Sequence, residues 1–192
     1  MRVLLVSRFA IMGTYQRWLE TLAACMQGEL VVIIPPYWRA TGGQIERLID
    51  RHTHGYQLIV TPIRHNGSAT RHYYPHLGQL LASIRPDLLH LDSCAEQAAT
   101  THGIRLAIRA GIPAIFHMER RSDRRRSPLH WWREHYTYTH ARGAIVDDLD
   151  TQTILRHRGW HGPTAIIPYH DLHPDRFALL AQEIYAFYAS CC

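Results

Sequence analysis

The chain has 192 residues, of which 46% are hydrophobic, so it is long enough for one well-developed core and too short for two ordinary domains. Its net charge is +5, and all 21 basic residues are arginine, a bias that reflects base composition as readily as function. Basicity alone therefore does not indicate nucleic acid, and no nucleic-acid-binding motif is present. No apolar run approaches the roughly 20 residues that cross a bilayer. The start MRVLLVSRF lacks a cleavage site, so we expect a cytoplasmic protein.

Seven apolar runs of strand length alternate with amphipathic segments along the chain. Continuous Val, Ile and Leu runs bounded by Gly, Pro or Asp are typical of parallel strands that are covered on both faces. The predicted strands are Val3 to Val6, Leu30 to Ile34, Leu58 to Thr61, Leu88 to Leu91, Ala114 to Phe116, Ala144 to Val146 and Ala165 to Ile167. The predicted helices are Tyr15 to Met26, Pro75 to Ile84, Glu96 to Ala110, Leu129 to His140 and Thr151 to His157.

This alternation predicts an α/β fold with a three-layer, doubly wound, mainly parallel and Rossmann-like sheet. We assign residues 1–177 to this single domain. The tail, residues 178–192, has apolar side chains at helical spacing, so we predict an amphipathic helix that packs back on the same domain. These apolar residues are Leu179, Leu180, Ile184, Phe187 and Tyr188.

Ligands of open parallel sheets bind outside the carboxyl ends of the strands, so the segments after each predicted strand are candidate binding segments. They are Ser7 to Gly13, Pro35 to Arg39, Pro62 to Asn66, Asp92 to Glu96, His117 to Arg121, Asp147 to Asp148 and Tyr169 to Asp171. Because they combine His, Glu, Arg and aromatic side chains, we expect a ligand cleft at this edge. Tyr37, Trp38 and Glu96 are candidate ligand contacts.

Gly13 and Thr14 mark the predicted start of the first helix. Thr14 is an acceptable N-cap, and Gly13 would let the backbone approach a ligand, so the helix terminus could hold an anion or a sugar hydroxyl. The loop lacks a GxGxxG fingerprint, which argues against a dinucleotide site.

His117 and Glu119 end the fifth strand two residues apart, so both side chains would lie on one side if the strand continues that far. Such a pair could orient a sugar hydroxyl or take a proton, and we assign both residues a catalytic role. The alternative is that Glu119 pairs with an arginine of the run that follows.

That arginine run is the densest positive segment of the chain. It could hold a phosphate or contact an anionic membrane surface; the alternative is a solvated loop. Its members are Arg120, Arg121, Arg124, Arg125 and Arg126. On the helix that follows, Trp131, Trp132, Tyr136 and Tyr138 cover more than one face, so part of this aromatic surface could seat a partner protein or a membrane.

Neither a metal nor a covalently bound cofactor is expected. The fifteen histidines show no HExxH pattern, and the four cysteines, Cys25, Cys94, Cys191 and Cys192, are not spaced as a zinc site or a redox pair requires. We expect all four thiols to be reduced.

Over residues 1 to about 177 the chain resembles the amino-terminal domain of family 4 glycosyltransferases of the GT-B type. The matching segments, in order, are MRVLLVSRFAIMGTY, VVIIPPYWR, RPDLLHLD, AGIPAIFHME, HARGAIVDDLDTQTILRHRGWHGP and AIIPYHDLHPDRF. The tail AQEIYAFYAS resembles the last helix of these enzymes, which crosses back onto the first domain.

The resemblance implies that this domain binds a sugar or another hydroxylated acceptor. A nucleotide sugar would be held by a second, donor domain, and transfer would retain the anomeric configuration. Gly13 corresponds to the family's glycine loop and Glu96 lies near a family acidic position. Glu119 falls where many members have a histidine, with His117 two residues earlier.

The chain departs from the family pattern in its single loop glycine, in the displaced histidine and in the exit sequence YHDLHPDRF. We expect the donor domain to be missing, so that a partner chain or a second copy would supply it. Two other hypotheses stay open: a non-catalytic interaction module that seats against a partner protein or membrane surface, and a small nucleotide-binding protein of unrelated chemistry.

Overall fold

A computed structural model describes residues 1–40, 42–48, 51–119, 127–168 and 173–192. Within these ranges the strands are β1 (Arg2–Ser7), β2 (Glu29–Ile34), β3 (Tyr37–Arg39), β4 (Ile45–Arg47), β5 (Gln57–Val60), β6 (Leu88–Asp92), β7 (Ala114–Met118), β8 (Gly143–Val146) and β9 (Thr164–Ile166). The α-helices are α1 (Gly13–Cys25), α2 (Leu77–Ile84), α3 (Ala98–Ala110), α4 (Pro128–His140), α5 (Leu149–His157) and α6 (Phe177–Cys191).

The main sheet has seven strands in the order β5-β2-β1-β6-β7-β8-β9, and every neighbouring pair is parallel. The chain first builds outward from β1 through β2 to β5, then returns to β6 on the other side of β1. This reversal makes the space between β1 and β6 the topological switch point of the sheet. The predicted α/β, doubly wound fold is confirmed.

Of the α-helices in the described ranges, two cover one face of the sheet and four cover the other. Alternate side chains of β1 show this division: Val3 and Leu5 pack in the core beneath α1 and α6, whereas Leu4 and Val6 pack with α2 and α3. Helices α4 and α5 extend the second layer over β7 and β8. Both faces of each central strand are therefore buried, which explains why these strands are continuous apolar runs.

Local signals set the starts of two helices. In α4, the Ser127 hydroxyl accepts a hydrogen bond from the backbone N–H of His130, and Pro128 occupies the first turn. In α5, the Asp148 carboxylate accepts from the N–H of Thr151. Each side chain satisfies a backbone donor that the helix itself leaves open.

The short antiparallel hairpin of β3 and β4 was not predicted from the sequence. Its segments have only three residues each, and β4 is exposed throughout, so neither produces an apolar run. Two strands extend further than predicted, since β6 includes Asp92 and β7 includes His117 and Met118, whereas β5 and β9 end one residue earlier than predicted, at Val60 and Ile166. Polar residues ended the predicted runs, but the ladder hydrogen bonds continue through them.

Helix α6 lies against α1 and the sheet. Its buried residues include Leu180, Ile184 and Tyr188, and they belong to the same core as Val3 and Trp18. Gly143 at the start of β8 allows this close approach, because a Cβ there would lie 2.8 Å from Phe187 Cζ and 2.9 Å from Cys191 Sγ. The last helix is therefore an integral part of the core.

Adjacent leucines of α6 provide a matched test of this packing. Leu180 is 1% exposed and Leu179 is 54% exposed. We expect Leu180→Ala to lower the free energy of unfolding by about 2 to 5 kcal/mol, because it leaves a cavity in the core. Leu179→Ala should change it by less than about 0.5 kcal/mol. Urea denaturation measures both, and equal losses would contradict the packing described for α6.

Candidate functional site

Polar side chains of four neighbouring strands meet on one face of the sheet at its carboxyl edge. We call this group the polar cluster; its members, all buried, are Ser7, His90, Asp92, His117 and Asp147. Their positions follow from the alternation of side chains along each strand. Each follows an apolar residue of the same face by two or more positions along the strand, as in Leu5 and Ser7 or Ile115 and His117, and strand periodicity places them on that face.

The strand register brings these side chains into contact. Ser7 is paired with Asp92 across the switch point, and its hydroxyl donates a hydrogen bond to Asp92 Oδ2. His117 lies between two carboxylates: Nδ1 is 3.2 Å from Asp92 Oδ1 and Nε2 is 3.0 Å from Asp147 Oδ1. One imidazole thus joins β6 to the loop after β8.

The two carboxylates determine the charge of the imidazole. Burial would lower the pKa of His117, but the hydrogen bonds and charges of Asp147 and Asp92 outweigh burial and raise that pKa to about 9. Burial likewise acts to raise the pKa of Asp92, yet His117 lowers it to about 2. At neutral pH His117 is therefore an imidazolium that donates from both nitrogens, and it is not available as a general base in this state.

Two tyrosines connect the polar cluster to the helices above it. Tyr15 of α1 donates its hydroxyl to Asp92 Oδ2 over 2.8 Å, and the Tyr188 hydroxyl of α6 lies 2.7 Å from His90 Nδ1. Burial lowers the pKa of His90 to about 3, so this histidine is neutral. The cluster therefore contains one charged and one neutral histidine on neighbouring strands.

Gly13 and Thr14 lie at the same edge, at the beginning of α1, but the predicted cap is wrong. The helix begins at Gly13, its N-cap is Met12, and Met12 offers no side-chain cap. A 3₁₀ turn, Phe9–Ile11, carries the chain into the helix, so Thr14 already lies inside the first turn. Gly13 is half-buried and Thr14 is exposed.

Tyr37 and Trp38 lie in β3, which pairs with β4 and not with the main sheet. Trp38 is only 4% exposed and packs edge-on against His72, with ring centroids 5.1 Å apart. Tyr37 is half-buried, and its carbonyl accepts from the Asn66 side chain. Trp38 is thus a packing residue in this structure, whereas Tyr37 remains partly accessible.

Glu119 is half-buried and follows β7, which ends at Met118. Glu119 was expected on the same face as His117 only if the strand continued to residue 119. The strand ends before it, so this condition is not met. Arg120, Arg121, Arg124, Arg125 and Arg126 lie outside the described residues, as does the expected contact of Glu119 with this run. Glu96, also half-buried, precedes α3; burial is the main cause that raises the pKa of Tyr138, and the charge of Glu96 adds to it.

Helix α4 exposes part of its aromatic surface. Trp131 is 60% and Trp132 is 46% exposed, and Leu129 beside them is 52% exposed. Tyr138 is different: its ring packs near Phe116 and Trp160, and its hydroxyl donates to Glu134. The aromatic residues of this helix therefore divide between an exposed first half and a core-facing second half.

The sequence placed His117 at this edge but did not select Ser7, Tyr15, His90, Asp92, Asp147 or Tyr188. Ser7, Asp92 and Asp147 fell inside the segments expected to line the cleft, and only the tertiary structure shows that both carboxylates reach the same imidazole. One sequence signal could have selected them: a polar residue at a strand position where the alternation of side chains predicts a buried one. His90 carries this signal within the run LLHLD.

The described residues contain no group of three or more His, Cys, Asp and Glu side chains arranged to hold a metal. The helices described here are too short or too polar to cross a membrane. A surface hollow lies at the opposite, amino edge of the sheet and is separate from the polar cluster; it is lined by Met1, Pro86, Asp87, Gly111, Ile112, Pro113, Ala189 and Cys192.

The same chain fold occurs in solved structures of sugar-nucleotide enzymes. A UDP-N-acetylglucosamine 2-epimerase matches with a TM-score of 0.55 and 12% identity, over 87% of this chain and 48% of that one. The UDP-GlcNAc 2-epimerase from Neisseria meningitidis, bound to UDP-GlcNAc, matches with a TM-score of 0.53 and 14% identity, over 87% of this chain and 46% of that one. No protein-family model and no curated protein matches the sequence.

These likenesses define the class of fold: a Rossmann-like α/β domain of the GT-B-like kind. The chain spans about half the length of the structures that it matches. At identities this low the likeness concerns the fold, so membership of glycosyltransferase family 4 and the roles of the site residues remain predictions.

The charge of His117 predicts a pH dependence of stability. The pKa of His117 is about 9 in the folded chain, against 6.5 for an ordinary histidine. Because the folded state holds this proton more tightly, the stabilisation is complete below pH 6.5 and is lost as the pH rises through 9. We expect the free energy of unfolding to fall by roughly 1 to 3 kcal/mol across this range in urea denaturation.

The matched control is His157→Gln, which removes an exposed histidine of α5 and should keep the wild-type slope. His117→Gln should flatten it. If all three proteins show the same slope between pH 6.5 and 9, the extra proton does not belong to His117.

Proposed function

We propose that this chain is the sugar-binding lobe of a two-lobed sugar-nucleotide enzyme, with its ligand at the carboxyl edge above the polar cluster. One observation carries the proposal: buried charged side chains of adjacent parallel strands converge at the switch point, where sheets of this architecture bind ligands. The fold likeness to UDP-GlcNAc 2-epimerases supports a sugar-related ligand. The finer hypothesis is acceptor binding for retaining glycosyl transfer.

In this proposal His117 and Asp92 hold the site in shape and set its charge. Both are buried and satisfied by each other, so their role is to position the edge rather than to contact a free ligand. Glu119, which is half-buried just past β7, is the proposed contact that orients a sugar hydroxyl or takes its proton. Gly13, Thr14, Tyr37 and Glu96 are the other proposed ligand contacts.

The nucleotide sugar would be a co-substrate, presented by a second lobe on a partner chain or on another copy of this chain. The matched structures are about twice as long as the aligned region, which supports the existence of a second lobe. Chemistry would then depend on that lobe, and the isolated chain would bind its ligand without turning it over.

Binding of the sugar moiety tests the proposal. In isothermal titration we expect UDP-GlcNAc to bind this chain more tightly than UDP does, because only the former offers sugar hydroxyls to the edge. Glu119→Gln should abolish most of that difference, about tenfold in Kd, since a hydrogen bond to a charged group contributes about 1.5 to 3 kcal/mol.

Glu183→Gln, which removes an exposed carboxylate from α6, is the control and should bind like the wild type. Equal affinity for UDP-GlcNAc and UDP in the wild-type chain, together with no heat from N-acetylglucosamine, would refute sugar binding at this edge.

A second candidate function is an interaction module that uses α4. The exposed Trp131, Trp132 and Leu129 form an apolar surface at the amino-terminal half of that helix, which starts at the carboxyl edge. Solvent-exposed tryptophans of this kind are typical of partner contacts. We propose the second lobe as the partner, because it would cover the same edge.

This second candidate predicts a loss of assembly rather than a loss of ligand binding. Trp131→Ser should weaken association with a donor-lobe chain about tenfold or more, whereas it should leave the affinity for UDP-GlcNAc unchanged. Sedimentation velocity measures the first and calorimetry the second. His157→Gln is again the control, and an unaltered association constant in Trp131→Ser would exclude this surface.

A further inference from the structure

Arg8 differs from the other half-buried arginines, each of which donates a hydrogen bond to an oxygen of the protein; for Arg133 that acceptor is the carbonyl of Thr70. Arg2 pairs with Glu29 and Arg158 pairs with Glu134. Arg8 instead lies against aromatic rings: its guanidinium carbon is 3.9 Å from the ring centroid of Phe9 and 4.8 Å from that of Trp38. Throughout the described ranges, no carboxylate pairs with it.

The rings that hold Arg8 are themselves fixed. Trp38 is buried and packs against His72, whose Nδ1 lies 3.1 Å from the carbonyls of Ser68 and Ala69 and therefore donates to them. Phe9 stacks on Tyr15 at 6.4 Å between centroids, and Tyr15 binds Asp92. The position of the guanidinium is thus set by groups that continue into the polar cluster.

The location of Arg8 is also defined. It is the residue after β1 and directly follows Ser7, which pairs with Asp92 across the switch point. Ligands of such sheets bind at this point. Arg8 is half-buried, so its charge is partly shielded from water but still reachable.

A contact between a cation and an aromatic face uses the positive charge and not the N–H donors. The guanidinium fork of Arg8 therefore keeps its planar donors for another acceptor, and that geometry matches the oxygens of a phosphate. An aromatic support also holds the side chain in place, so less side-chain freedom is lost when an anion binds.

We propose that Arg8, supported by Phe9 and Trp38, is an anion-recognition residue that binds a phosphate group of the ligand at the switch point. The chemical class is a nucleoside diphosphate or a sugar phosphate, which share the phosphate oxygens. The proposal deepens the proposed function, because it places a phosphate beside the sugar-binding edge. It rests on the proposed function only in assuming that the ligand binds at the carboxyl edge of the sheet.

Calorimetry of the folded chain with inorganic pyrophosphate, UDP and N-acetylglucosamine 1-phosphate tests it. We expect all three to bind the wild type. Arg8→Met keeps an unbranched chain between the rings but removes the donors, so it should weaken all three about ten- to a hundredfold. Arg8→Lys keeps the charge without the planar fork and should give an intermediate loss.

Arg109→Gln is the matched control. It removes one exposed positive charge from the end of α3, at the opposite edge of the sheet, and should leave all three affinities unchanged. Thermal unfolding without ligand checks that each variant is folded. If Arg8→Met does not fold, the test uses the NMR signal of the Trp38 indole N–H in the wild-type chain instead. We expect pyrophosphate to shift that signal.

The outcomes separate this proposal from the previous one. Unchanged affinities in Arg8→Met, no binding of pyrophosphate or UDP to the wild type, or no shift of the Trp38 signal would each overturn the role of Arg8. If phosphates bind through Arg8 but UDP-GlcNAc gains nothing over UDP, the anion site stands and the sugar site fails. If the chain binds the sugar tightly but binds no phosphate, the sugar site stands and the anion site fails.

Discussion

The structure depends on the placement of a positive imidazole between two buried carboxylates. Asp92 and Asp147 belong to segments that are separated by 55 positions in the sequence numbering, and two buried negative charges at one sheet edge would repel each other strongly if nothing lay between them. His117 meets both with its two ring nitrogens. The carboxyl edge of the sheet can therefore be both polar and buried at this point.

This arrangement also links the layers of the fold. Asp92 accepts hydrogen bonds from Ser7 of β1 and Tyr15 of α1, and its strand neighbour His90 contacts Tyr188 of α6. The helices on this face are thus tied to the polar cluster by hydrogen bonds as well as by apolar packing. A change in the charge of His117 would reach α1 through Asp92, which makes the edge a coupled unit rather than a set of separate loops.

The edge divides into two chemically different regions. Around the polar cluster, charges are paired and buried, which suits a role in holding shape. Next to it, Arg8 is supported by Phe9 and Trp38, and Glu119 is half-buried, so these two side chains can still respond to a ligand. A sugar phosphate, the class of ligand that we propose for this edge, offers both hydroxyls and an anionic group.

The order of apolar and polar residues was enough to predict the class of fold, because the central strands are buried on both faces and are therefore continuous apolar runs. The partly exposed edge strands β5 and β9 also carry short apolar runs. The sequence also placed His117 and the first loop at the carboxyl edge. It did not determine the hairpin of β3 and β4, whose segments are too short and exposed to give a periodic signal, or the start of α1 at Gly13. Three contacts became known only from the three-dimensional fold: Asp92 and Asp147 share one imidazole, Tyr188 reaches His90, and Arg8 lies on Trp38. These contacts join residues that are distant in sequence, and they follow from strand register and helix position, which no local pattern of residues specifies.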